Sequence, residues 1–173
     1  ICMNQLSFEA CYYYGKLLKI YDVFPESKSA SALDFRIGLS THGKKYWHQQ
    51  YNYPDVKLTF SYSGYGNRSV LGNSLSIYPS IGSNKALGHA TFVNYNLGLG
   101  LAFFNKPFNE FTNPTNNVIG SSIVAVAAAR VVIEKRLSRK VLVNLGGSFR
   151  HYSDGHIQVP NVGANLIYLN LGL

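Results

Sequence analysis

Apolar side chains return at every second position along most of this 173-residue chain. Successive side chains of a strand point to opposite faces, so a period of two gives one apolar face and one polar face. Leu6, Phe8, Ala10, Tyr12 and Tyr14 share a face, with Ser7, Glu9, Cys11 and Tyr13 behind them. The same alternation runs from Leu33 to Leu39, from Val56 to Tyr62, from Leu75 to Ile81, from Val93 to Phe103 and from Ile123 to Ile133. Odd positions from Val141 to Ser153 and from Ile167 to Leu173 complete the set. The chain reads as eight strands in a single β-barrel domain spanning residues 1–173.

Alternation alone also suits a soluble sandwich or a lipocalin-like barrel. Length separates the readings. These stretches run to about 9 residues or more, where soluble strands cluster near 5 to 6 and membrane-spanning strands need about 9–11. The face opposite the apolar one carries Glu9, Asp34, Arg36, Lys57, Arg130, Glu134 and Arg150 among Gly, Ser and Asn. A mixed-charge set of that kind fits a narrow lumen, so these seven side chains are expected to point inward and pair. Aromatic residues at strand ends (Tyr12 to Tyr14, Tyr46, Trp47, Tyr51, Tyr53, Phe103, Phe104, Phe108) read as an interfacial girdle. A soluble barrel would bury its apolar face and carry more charge outside. The expectation is an all-β, eight-stranded antiparallel transmembrane barrel of the bacterial outer membrane.

Charge narrows the partners. Sixteen basic residues against eight acidic ones give +8, although charged residues make up only 14% of the chain. The excess suits an anionic partner, and with no nucleic-acid-binding motif present it points to a phosphate-bearing membrane rather than to nucleic acid. No apolar run is long enough for a spanning helix, since the best candidate, Ile123 to Ile133, is broken by Arg130. The start at Ile1 shows no charged leader, as expected of a mature or trimmed form. Cys2 and Cys11 match no metal-ligand pattern and are not expected to bridge. His42, His48, His89 and His156 lack ligand spacing, so neither metal nor cofactor is expected. Asn67-Arg68-Ser69 is a chance sequon, and Gly98-x-Gly100 lies inside a strand as lumen packing rather than opening a helix. Lys44, Lys45, Lys106, Lys135, Arg136, Arg139 and Lys140 read as turn charges that anchor the membrane edge.

One stretch carries chemistry. From Val141 to Gly155, the outward set ends in His151 and Ser153. An imidazole beside a hydroxyl on a lipid-facing surface costs free energy unless the pair has a use. An imidazole that takes the serine proton makes a nucleophile for ester cleavage. The base then needs a third group to hold its tautomer. The outward set of the last strand extends back to Asn165, polar where parity predicts an apolar residue, and its carbonyl can accept the second imidazole N–H. With the N-terminus on the periplasmic side, the pair lies at the outer end of the seventh strand.

At these residues the chain resembles the PagL-type lipid A deacylases, eight-stranded outer-membrane barrels that remove an ester-linked acyl chain from lipid A. The family's His-x-Ser-Asn-Gly motif stands here as His151-Tyr152-Ser153-Asp154-Gly155, followed by Pro160-Asn161-Val162-Gly163. The segment Lys45 to Val56 and the closing Leu169 to Leu173 look like the Bacteroidetes acyloxyacyl hydrolase branch. The resemblance implies a lipid A 3-O-deacylase with His151 as general base and Ser153 as nucleophile. It further implies Asn161 as an oxyanion contributor, with backbone N–H groups near Gly155. Two positions depart from the motif. The family's acid falls on Asn165, and Asp154 replaces the motif asparagine. The implied partners are lipid A, or lipopolysaccharide, and the surrounding outer-membrane lipids. The alternative is a catalytically inactive barrel that serves as scaffold or subunit of a larger membrane complex, with protein partners.

Overall fold

Strands β1 (Leu6–Leu17), β2 (Ser29–Ser40), β3 (Asp55–Gly64) and β4 (Asn73–Gly88) follow one another along the chain. β5 (Thr91–Phe104), β6 (Ile123–Arg136), β7 (Leu142–Ser153) and β8 (Ala164–Gly172) complete the series. A five-residue helix, α1 (Tyr46–Gln50), sits between β2 and β3. Each strand pairs antiparallel with the next, and β8 returns to β1, so the sheet closes. This computed structural model describes residues 6–22, 24–41, 45–50 and 53–173, apart from the side chains of Ser40 and Trp47. Cys2, His42, Lys44 and Tyr51 lie outside the described residues.

The barrel has the parity that the alternation predicts. On β5, Leu97 and Leu99 are 65% and 67% exposed, while Asn94 and Asn96 are buried. Apolar residues at two-residue spacing thus clothe the outside, and polar ones fill the lumen. Strand ends differ from the sequence reading: β4 runs on past Ile81 to Gly88, where polar residues continue the pairing with β5. Two aromatic assignments are corrected as well. Tyr13 and Phe104 are inward and fully buried, not part of a girdle, because their parity sends them into the lumen. Tyr12, Tyr14 and Phe103 do face outward. Phe108 lies in the β5–β6 loop, half-buried, with its N–H donated to Ile119 O.

The lumen is layered. Toward the end that carries the β4–β5 and β6–β7 turns, Glu9 holds three cations at once. Its carboxylate lies 3.3 Å from Arg36, 3.0 Å from Lys57 and 2.7 Å from Arg130. Above it Arg150 bonds Asp34 at 2.7 Å and stacks on Tyr13, with Cζ 4.4 Å from the ring centre. Glu134 is also inward and buried, but among the described residues it makes no ion pair. Gly98 and Gly100 give Tyr78 its room, since a Cβ at either would sit 2.7 or 2.6 Å from that side chain. Cys11 is a buried free thiol. Nearer the loop end the filling turns aromatic, with Tyr65, Phe104 and Tyr152 in mutual contact.

Long connections meet at that loop end. Asn116, fully buried, donates to Lys106 O and Val70 O and accepts from the N–H groups of Val118 and Ile119. The β5–β6 loop in turn carries the β7–β8 connection: Val162 N donates to Asn117 O and Gly163 N to Val118 O, at 3.2 and 3.0 Å. The chain after Ser153 is therefore laid on a fixed support.

Glu9→Ala leaves three buried cations without their shared partner. Breaking a buried pair in this way costs on the order of 3–5 kcal/mol. The variant is expected to lose its heat-resistant gel mobility at a lower temperature than wild type, whereas Glu134→Ala shifts it little.

Candidate active site

The site is built on strand alternation. Tyr152 points inward, 0% exposed, against Tyr65 and Phe104, and that anchor turns its neighbours His151 and Ser153 out to the barrel surface. Register then selects the partner of the imidazole: His151 lies directly across from Asn165 on β8. His151 Nδ1 donates to Asn165 Oδ1 at 2.8 Å. A neutral imidazole held this way keeps its proton on Nδ1 and leaves Nε2 as the basic nitrogen.

The hydroxyl of Ser153 collects two donors. Gly155 N–H reaches its Oγ at 3.1 Å and the Asn161 side-chain amide reaches it at 3.2 Å. Among the described residues, Ser153 Oγ and His151 share no hydrogen bond. They share a neighbour instead. A Cβ placed on Gly163 would lie 3.1 Å from His151 Cε1 and 3.7 Å from Ser153 Cβ, so imidazole and serine converge on one spot. Gly163 has φ of +74°, which side-chain-bearing residues rarely adopt.

Asp154 is buried and inward, as its even position requires. Its carboxylate accepts from His156 N at 3.0 Å and from the same Asn161 amide nitrogen that reaches Ser153. An ionised carboxylate can only accept, so it fixes the Asn161 amide with its NH₂ toward Ser153 and its oxygen away. The departure from the motif asparagine thus bonds the same Asn161 nitrogen that reaches the hydroxyl. That arrangement depends on how the 154–163 connection folds back, which no sequence periodicity reports.

Outside, the surface next to the pair is shallow. His151 and Ser153 pair with Ala127 and Ala125 on β6, which in turn pair with Leu99 and Leu101 on β5. Ala125, Ala127 and Ala129 make a low row between the leucines of β5 and the Phe149–His151–Ser153 edge of β7. This row was not singled out from the sequence, although its signal is there: in this strand the outward set carries three consecutive alanines, Ala125, Ala127 and Ala129.

A closed eight-stranded barrel with an apolar exterior and a polar, packed interior defines an outer-membrane β-barrel protein. The match to a protein family is more specific. The lipid A 3-O-deacylase (PagL) family matches residues 34–173, and the chain belongs to it. Among solved structures, the barrel is similar to that of the outer membrane enzyme PagL. The TM-score is 0.59 and the identity 19%, over 95% of this chain and 98% of that one. It is likewise similar to Neisserial surface protein A, at a TM-score of 0.59 and 11% identity over 98% of each chain. At such identities the likeness shows the fold alone. No curated protein matches the chain.

Gly163→Ala is expected to cost about 1–2 kcal/mol for the left-handed backbone. It should also push the imidazole off its position. The nitrogen chemical shifts of the His151 ring, measured by NMR in micelles, should show loss of the bond to Asn165 while the barrel stays folded.

Proposed function

We propose that this protein is an outer-membrane esterase that removes an ester-linked acyl chain from lipid A by a serine–histidine mechanism. One observation carries the reading: two N–H donors converge on the hydroxyl of Ser153, beside a histidine whose far nitrogen is held by Asn165. A nucleophile, an oriented base and preorganised donors are what acyl transfer requires.

Rotation of Ser153 about Cα–Cβ brings its hydroxyl to His151 Nε2, a contact that substrate-free sites often leave open. Oγ attacks the acyl carbonyl as Nε2 takes its proton. The carbonyl oxygen, now negative, occupies the place between Gly155 N–H and the Asn161 amide. The ester bond to the sugar breaks, and the imidazolium returns its proton to the departing hydroxyl. Water then attacks the acyl-serine as Nε2 takes its proton, the acyl–Oγ bond breaks, the imidazolium returns the proton to Ser153 Oγ, and a fatty acid leaves. Asp154 serves this step by keeping the Asn161 NH₂ turned toward the oxyanion. The alanine row of β6 offers a trough for the acyl chain, level with the serine. Substrate reaches it from within the membrane because the pair faces outward.

Purified protein in detergent should release fatty acid from lipid A, and Ser153→Ala or His151→Ala should each lower that rate by at least about 10³-fold with the barrel intact. Asn165→Ala costs less, since an uncharged partner supplies alignment without offsetting the imidazolium. Asp154→Ala lowers kcat, whereas Asp154→Asn leaves it near wild type because the amide oxygen can accept the same bond. A wild-type protein that releases no fatty acid from any lipid A ester would leave the scaffold role in place of the enzyme.

The trough has its own test. Ala129→Trp fills it opposite Phe149 and away from Ser153, so it should lower kcat/KM on lipid A while leaving the reaction of Ser153 with a small fluorophosphonate unchanged. Equal losses on both reagents would remove the trough from the acyl path.

A further inference from the structure

The charge excess of +8 is distributed very unevenly over the barrel. At the loop end, beside the candidate active site, Lys16, Lys19, Lys28, Arg68 and Lys106 are offset by Asp22, Glu26, Glu110 and Asp154. Two of those cations are also engaged locally, Lys19 with Glu26 at 2.6 Å and Lys106 with Ser69 O at 3.1 Å. The opposite end differs. Among the described residues, Lys45, Lys85, Lys135, Arg136, Arg139 and Lys140 are all exposed there. Against them, among the described residues and apart from the lumen carboxylates Glu9 and Glu134, stands Asp55 at the lumen mouth, which accepts from Asn84.

We infer that this collar binds the phosphates of anionic phospholipid headgroups, in the leaflet away from the candidate active site. Position argues for a lipid over a soluble polyanion. Lys85 pairs across the sheet with Val93, which pairs with Ile133, so the lysine stands in the same outward row as the lipid-facing residues. Lys135 follows Ile133 on that face and donates to Thr91 Oγ1 at 3.1 Å. The two lysines are separated by one strand, about 10 Å across the sheet, a span that brackets one headgroup. Exposed Leu87 and Leu137 lie among the cations, 59% and 62% open, as residues that dip into an interface do. Arg139 and Lys140 extend the positive surface around the β6–β7 turn. Cations at the border of an apolar band meet lipid phosphate within a Debye length of about 8 Å at physiological salt, where attraction is least screened. The inference is independent of the esterase reading, because none of these residues belongs to the site.

The test is native mass spectrometry of the full chain in detergent, with phosphatidylglycerol and phosphatidylcholine added at equal concentration. Phosphatidylglycerol should be retained several-fold more than phosphatidylcholine, with the preference reduced at raised salt. Lys85→Gln combined with Lys135→Gln, Arg139→Gln and Lys140→Gln should abolish the preference, with fatty-acid release and heat-resistant mobility unchanged. A loop-end control, Lys28→Gln with Arg68→Gln, should keep it. Equal retention of the two lipids by wild type overturns the inference even if no variant folds. So does an equal loss in the loop-end control, or displacement of phosphatidylglycerol by soluble polyphosphate at lower concentration.

Discussion

The pairing of β1 with β8 is the interaction on which the rest depends. In hydrocarbon an unpaired N–H or C=O has no water to turn to, and each one costs several kcal/mol. A chain of strands joined only to their sequence neighbours would leave two such edges. Here Cys11 through Leu17 pair with Leu166 through Gly172, and Ala10 and Leu173 exchange two more hydrogen bonds beyond the ladder, at 2.9 and 3.0 Å. Closure removes both edges, and it also fixes register all the way round. Because the side-chain period is two, a slip of one residue would turn the whole apolar coat inward. The match between lipid outside and carboxylates inside therefore specifies the barrel more tightly than any single contact.

Inside, the chief problem is charge. Four cations and three carboxylates occupy a narrow lumen, and Glu9 answers three of the cations alone. The arrangement ties β1 to its neighbour β2 through Arg36 and, across the lumen, to β3 and β6 through Lys57 and Arg130. Arg150 joins β7 to β2 in the same way through Asp34. β7 is thus held from within, by Arg150 and Tyr152, while its odd residues face out. A firm inner edge is what permits polar side chains on an outer edge, since the strand does not need those positions for packing.

Much of this was legible in the sequence, and the reason is the same period. Strand number, the inside–outside division and the inward set of charges follow from parity, as does the meeting of His151 with Asn165, because register follows from closure. What residue type alone misreads is the aromatic residues: Tyr13 and Phe104 are large enough to suggest an interface, and it is their place in the alternation that sends them inward. Glu134 has the parity of a lumen residue but makes no ion pair among the described residues, because pairing depends on depth along the barrel and not on face. The connection from Asp154 to Gly163 was least legible. Its path is set by left-handed turns at Gly155, His156 and Gly163 and by hydrogen bonds to a distant loop, and neither leaves a periodic trace. The shared use of Asn161 by Ser153 and Asp154 belongs to that hidden part.

The filled lumen has a consequence for the cell envelope. Around Tyr13, Arg36, Tyr78 and Arg150 the interior leaves a void of only about 10 Å³, room for about one water. Guanidinium groups and rings occupy the section where a porin would hold a column of solvent. At that level an ion or small solute meets paired side chains rather than solvent. Lipid can be handled on the outer wall of such a cylinder without the permeability barrier being spent to do it.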